Sequence, residues 1–178
     1  KPIIVAHSFG GFVTILTGAE YGDRFGGIVI VDTPVNPPDS PRRGPPPVRG
    51  GKVYPSLEAA LARFRLAPPQ LCENHYALDY IARWSLHKAP MQDGSGDGWA
   101  WKFDPSIWQR FSVSRPPQEL LKETRCRIAL FKGDKSIIWD PDVRDYMRGL
   151  LNRQVPFIEI PEARHHVMLD QPLAFVAA

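Results

Sequence analysis

Four short apolar runs punctuate the chain at very unequal distances. Two lie near its start, Ile3-Ile4-Val5-Ala6 and Gly27-Ile28-Val29-Ile30-Val31, and two near its end, Cys126-Arg127-Ile128-Ala129-Leu130-Phe131 and Val155 to Ile160. The first two are apolar at consecutive rather than alternate positions, the pattern of strands covered by helices on both faces of a parallel sheet. Between them Phe12, Val13, Ile15, Leu16 and Ala19 keep a helical stripe, and Tyr21-Gly22 supplies its stop signal. Strand, helix and strand make a βαβ unit. After the third run, Asp140-Pro141 pairs a capping residue with a proline at the first helical position, predicting a helix as far as Leu151. After the fourth, a loop leads into an apolar helix that reaches Ala178. The pattern predicts an α/β fold built on a mostly parallel sheet.

More than ninety residues separate the second run from the third, far more than an ordinary connection, which predicts an inserted cap. The texture changes at Pro34, since residues 34 to 47 hold seven prolines and few apolar anchors, a composition suited to an extended linker. Within the insertion Ser56 caps a short helix through Phe64, Asn74 caps another to Leu86, and Asp104-Pro105 starts a third. The segment DGSGDG reads as a turn leading into Trp99-Ala100-Trp101. The expected division is core over 1–35, a helical cap over 36–122, and core again over 123–178. Four of the five tryptophans fall between Trp84 and Trp108. They read first as packing anchors of a small subdomain and second as an aromatic wall for a substrate, with Trp99 and Trp101 the candidates.

Composition narrows the partners. The chain has 178 residues, 43% of them hydrophobic, enough for one globular core. Its net charge is only +3, and basic residues are scattered singly or in pairs such as Arg42-Arg43, which argues against nucleic acid. No apolar run is long enough to span a bilayer and no leader is visible, so no membrane partner and a cytoplasmic location are expected. Cys72 and Cys126 show no CxxC or Cys/His spacing, so neither a metal, a disulfide framework nor a cofactor is implied. Cys126 opens an apolar run and reads as a small buried hydrophobe.

The candidate chemistry begins where the first run ends. Ala6-His7-Ser8-Phe9-Gly10 has the small-x-Ser-x-small form of a nucleophile elbow, a sharp strand-to-helix turn that lifts the serine hydroxyl above the sheet edge. Small neighbours are expected because strand and helix almost touch there. The Phe9 amide, at the helix N-terminus, would give half of an oxyanion hole. Here the sequence resembles the α/β-hydrolase superfamily, and within it the capped members with a serine nucleophile. The resemblance implies a cap inserted after the strand that follows the nucleophile helix, and the order nucleophile, acid, histidine.

It also implies a histidine seven residues before the proline that opens the last helix; counting back from Pro172 gives His165 rather than His166. His7 is then a structural or pocket-lining residue, with substrate contact as its candidate role. The acid departs from the family's commonest pattern. In the Gly-x-x-Asp tetrad that usually carries it, this chain reads Gly133-Asp134-Lys135-Ser136, and serine has no charge to hold an imidazolium. Asp140 and Asp142 are accounted for by the helix start. Asp32, at the end of the second strand, where some capped relatives carry the acid, is favoured, with Asp134 as the alternative.

The resulting expectation is a serine hydrolase acting on a small-molecule carboxylic ester, with carbon-carbon, amide and lactone bonds as further options. The serine excludes epoxide hydrolases and haloalkane dehalogenases, which need a carboxylate nucleophile. Ser136 leaves a rival open, a non-catalytic protein that keeps the fold for binding or scaffolding. The family's strands before the nucleophile, with the second oxyanion donor, have no counterpart here. On that ground the 178-residue chain is expected to be a fragment, poorly soluble and inactive alone, and active when extended upstream.

Overall fold

A computed structural model describes residues 1–40, 51–110, 115–151 and 154–178. The four apolar runs form one sheet: β1 (Ile3–His7), β2 (Gly27–Val31), β5 (Ile128–Gly133) and β6 (Phe157–Ile160), side by side in that order and all parallel. The hairpin strands β3 (Leu86–Pro90) and β4 (Asp97–Trp101) pair antiparallel and lie outside this sheet.

Side chains alternate across a strand, so consecutive apolar residues must fill two cores. On one face Ile28 and Ile30 of β2 and Ile128 and Leu130 of β5 pack with Ile15 and Ala19 of α1 (Phe9–Tyr21) and with Val143, Met147 and Leu151 of α6 (Val143–Leu151). On the other face Val31, Phe131 and Ile160 pack with Ala163 and Val167, joined by Phe175, whose ring meets Phe131 edge-on at 5.6 Å. Each of the valine, leucine, isoleucine, phenylalanine and methionine side chains among them contributes about 1.5–3 kcal/mol on burial. The second core is closed by α7 (Val167–Asp170) and α8 (Pro172–Ala177), two short helices where the sequence suggested one. At the edge of the sheet, Ile3 and Val5 of β1 are each 59% exposed.

The chain divides into two compact units, Lys1–Arg42 with Val113–Ala178, and Arg43–Ser112. The expected cap boundary at 122 shifts as a result. Helix α5 (Pro117–Glu123) packs on α1, and its Leu120 and Leu121 are fully buried in the first core. The approach is close, for a Cβ on Gly18 of α1 would stand 2.9 Å from Cγ2 of Thr124.

The second unit contains α2 (Leu57–Leu61), α3 (His75–Trp84), the β3–β4 hairpin and α4 (Ile107–Arg110). Ser56 Oγ accepts from the Ala59 amide and Asn74 Oδ1 from the Ala77 amide, the two caps expected from the sequence. The unit is not purely helical, because the turn before Trp99 closes a hairpin that adds a short sheet. Four of the seven prolines of the expected linker, and the Arg42-Arg43 pair, lie outside the described residues. Among the described residues no helix is long and apolar enough to cross a membrane.

Candidate active site

Ser8 stands between β1 and α1 with φ 54° and ψ −121°, a conformation that residues with a side chain rarely adopt. Hydrogen bonds to its backbone hold it there. Its amide donates to Val31 O at 2.9 Å, its carbonyl accepts from the Gly11 amide at 2.9 Å, and the Thr33 hydroxyl donates to the same carbonyl at 2.9 Å. The crowding expected at Gly10 lies one residue later. A Cβ on Gly10 would meet only Ala6 Cβ, at an ordinary 3.8 Å, whereas one on Gly11 would stand 2.1 Å from Thr33 Oγ1. The turn brings Gly11, not Gly10, against the residue that braces the elbow.

Asp32 follows β2, the neighbour of β1, and its amide continues the ladder by donating to Phe131 O at 2.8 Å. It too has positive φ, 45°, which aspartate tolerates better than most residues. Its carboxylate is completely buried. Oδ1 accepts from the Gly133 amide at 3.0 Å and from the Trp139 indole N–H at 3.1 Å; Oδ2 accepts from the Ser136 hydroxyl at 2.6 Å and from His165 Nδ1–H at 2.7 Å. With Nδ1 donating, the other ring nitrogen is the acceptor. His165 Nε2 lies 2.9 Å from Ser8 Oγ, so serine, histidine and aspartate form one hydrogen-bonded chain.

The loop that carries His165 is tied at several points. The amides of Asp134 and Lys135 donate to Ile160 O and Ala163 O, and the Arg164 amide donates to Asp170 Oδ2 at 2.7 Å. From the end of β1, His7 Nε2–H donates to the His165 carbonyl at 2.7 Å, with the two rings 4.5 Å apart. Burial, and next the nearby His165, lower the pKa of His7 below the ordinary histidine value. His166 meets the His165 ring edge-on at 4.9 Å, and its pKa is lowered to about 4, chiefly by burial. Both rings are therefore neutral near pH 7.

The structure thus joins Ser8, His165 and Asp32. Asp134, the alternative acid, is exposed, and its amide serves the loop. Trp99 and Trp101 lie on β4 of the second unit, where Lys88 sits over the Trp99 ring and Phe64 packs against Trp101. The sequence reading missed Thr33, Gly133, Ser136 and Trp139 as partners of the site. The only trace of them in the sequence was the neutral Ser136 at a position where a charge was expected. Among the described residues no group of three His, Cys, Asp or Glu side chains could hold a metal ion.

A parallel sheet with a strained serine between strand and helix, and a histidine and an aspartate delivered by later loops, defines the α/β-hydrolase class of fold. A sequence model of the alpha/beta hydrolase family matches residues 1–178, and the chain belongs to that family. Among solved structures it is similar to a thioesterase domain from the curacin biosynthetic pathway (TM-score 0.74, 19% identity, covering 99% of this chain and 65% of that one). It is also similar to E-2-(acetamidomethylene)succinate hydrolase (0.71, 17%, 98% and 63%) and to an esterase from Mycobacterium tuberculosis (0.71, 18%, 99% and 58%). The chain spans less than two thirds of the length of these structures. Comparison with curated proteins finds no match.

Proposed function

We propose that the protein is a serine hydrolase that cleaves carboxylic esters of small molecules through an acyl-enzyme. One observation carries the reading: the buried chain from Ser8 Oγ to His165 Nε2, 2.9 Å, and from His165 Nδ1 to Asp32 Oδ2, 2.7 Å, with the serine in a strained turn. As the serine oxygen attacks the ester carbonyl, its proton passes to His165 Nε2, and Asp32 stabilises the imidazolium that forms. The tetrahedral oxygen draws on the Phe9 amide at the start of α1. Collapse breaks the ester C–O bond, and His165 returns the proton to the departing alcohol. A water molecule, deprotonated by the same nitrogen, then releases the acid and restores Ser8.

A fluorophosphonate, which reacts covalently with activated serines, tests the proposal. The protein takes up one probe per chain, at Ser8. Ser8→Ala abolishes labelling and lowers ester turnover by roughly a millionfold, to the background that binding and the oxyanion donors supply. Labelling that persists undiminished in Ser8→Ala overturns the assignment. A folded full-length protein that neither labels nor turns over any member of a panel of esters, thioesters, amides and lactones favours the scaffold instead.

A further inference from the structure

The proposed mechanism draws one function from Asp32, the charge that faces His165, yet the end of β5 and the loop after it direct three more donors at the same carboxylate. One, the Gly133 amide, belongs to the backbone. The other two are side chains whose placement is built into the fold. Ser136 is only 8% exposed, and its amide donates to Gly133 O at 3.1 Å, closing the turn that brings its hydroxyl to Asp32. The Trp139 ring is held edge-on against Phe157, with centroids 5.7 Å apart and planes at 88°, so the direction of its N–H follows from core packing rather than from solvent.

We propose that Ser136 and Trp139 are positioning residues for the acid, clamping the plane of the Asp32 carboxylate so that Oδ2 stays directed at Nδ1 of His165. The proposal rests on the serine-hydrolase reading for its catalytic consequence. The torsion that turns a carboxylate about its Cβ–Cγ bond is broad and twofold. A donor on one oxygen alone leaves it free to rock, whereas donors on both oxygens from one loop fix it. Ser136 also shares Oδ2 with His165. Both side chains donate to the Asp32 carboxylate, so both act through Asp32.

Proton NMR of the resting protein reads this arrangement directly. The His165 Nδ1 proton, shared with a carboxylate in a dry site, resonates far downfield and is assigned by its loss in His165→Asn. Ser136→Ala, which frees Oδ2 to turn away from Nδ1, moves this resonance upfield, and Ser136→Thr, which keeps the hydroxyl, returns it. Trp139→Phe, which keeps a ring against Phe157 but removes the donor from Oδ1, also displaces it. In p-nitrophenyl acetate hydrolysis, Ser136→Ala loses about tenfold in kcat with KM unchanged, and Ser136→Thr recovers it. An unmoved resonance in folded Ser136→Ala and Trp139→Phe overturns the proposal, as does a loss that falls on KM. A folded Ser136→Thr that behaves like the alanine variant also overturns it. The resonance needs no turnover, so a protein that fails to label at Ser8 still reports on the clamp.

Discussion

Replacing Asp32 with asparagine removes one charge and almost no volume, and the surroundings decide how the site responds. Each carboxylate oxygen faces two donors: Gly133 N–H and Trp139 N–H at Oδ1, Ser136 O–H and His165 N–H at Oδ2. Asparagine puts an NH2 at one of these places, where two donors would meet a third. The backbone amide and the wedged indole can only donate, while a hydroxyl can rotate and an imidazole can change tautomer. The NH2 therefore turns toward Ser136 and His165. His165 then accepts at Nδ1 and carries its hydrogen on Nε2, facing the Ser8 oxygen that needs a base. The expected loss in kcat is on the order of ten-thousandfold, about 5.5 kcal/mol of barrier at roughly 1.4 kcal/mol per decade. Stability changes much less. Bonds to a charge, worth about 1.5–3 kcal/mol, become neutral bonds worth about 0.5–1.5 kcal/mol, while the cost of burying a carboxylate is relieved. The assay pairs kcat on a p-nitrophenyl ester with a thermal melt, and uses Asp134→Asn as the control that keeps near-normal turnover. A folded Asp32→Asn within about tenfold of normal turnover refutes the reasoning, and so does an equal loss in Asp134→Asn.

The neighbouring histidines separate cleanly: His165→Ala loses turnover by several orders of magnitude while His166→Ala keeps most of it, and the reverse ranking shows that the wrong ring has been assigned as base. Gly11→Ala drives a methyl into Thr33 and loosens the brace on the Ser8 carbonyl, costing about 1–3 kcal/mol in a denaturant melt. Gly10→Ala, whose methyl finds ordinary contact, melts close to the unsubstituted protein, and equal losses at both positions contradict the crowding described at Gly11. His166 titrates near 4 when folded and near the ordinary 6.5 when unfolded, so between those values the unfolded chain binds more protons. Stability is then full above about pH 6.5 and declines as pH falls toward 4. Thermal melts across that window should show the decline shallower in His166→Asn, and an unchanged slope counts against a buried neutral ring.

Local signals and long-range contacts differed in how plainly they could be read. The run from Ile3 through the elbow to Val31 was legible because β-branched strands, a small-residue turn and a helical stripe follow one another with little else that the chain could do. Ser136 made Asp32 the favoured acid through an absence of charge. The hairpin of Leu86–Pro90 and Asp97–Trp101 escaped because its first strand, Leu-His-Lys-Ala-Pro, has no clear alternation and ends on a proline. Helix Pro117–Glu123 was assigned to the cap because two leucines do not say which core receives them. The Asp32 clamp was hidden for a plainer reason: its donors lie more than one hundred residues from the carboxylate, and nothing local announces such a bond.

Ser8 and Asp32 sit at the ends of adjacent strands, and the Ser8 amide bonds Val31 O, the residue just before Asp32, while the Asp32 amide bonds Phe131 O. The spacing of nucleophile and acid is thus written into the rungs of the sheet, not into the conformation of a loop. Heating that loosens the loops can disturb the aim of the carboxylate but cannot part these two residues until the ladder itself opens. Between them, warming should act as a change of angle first and of distance last, so that heat inactivation begins as a reversible loss and becomes permanent only as the sheet comes apart.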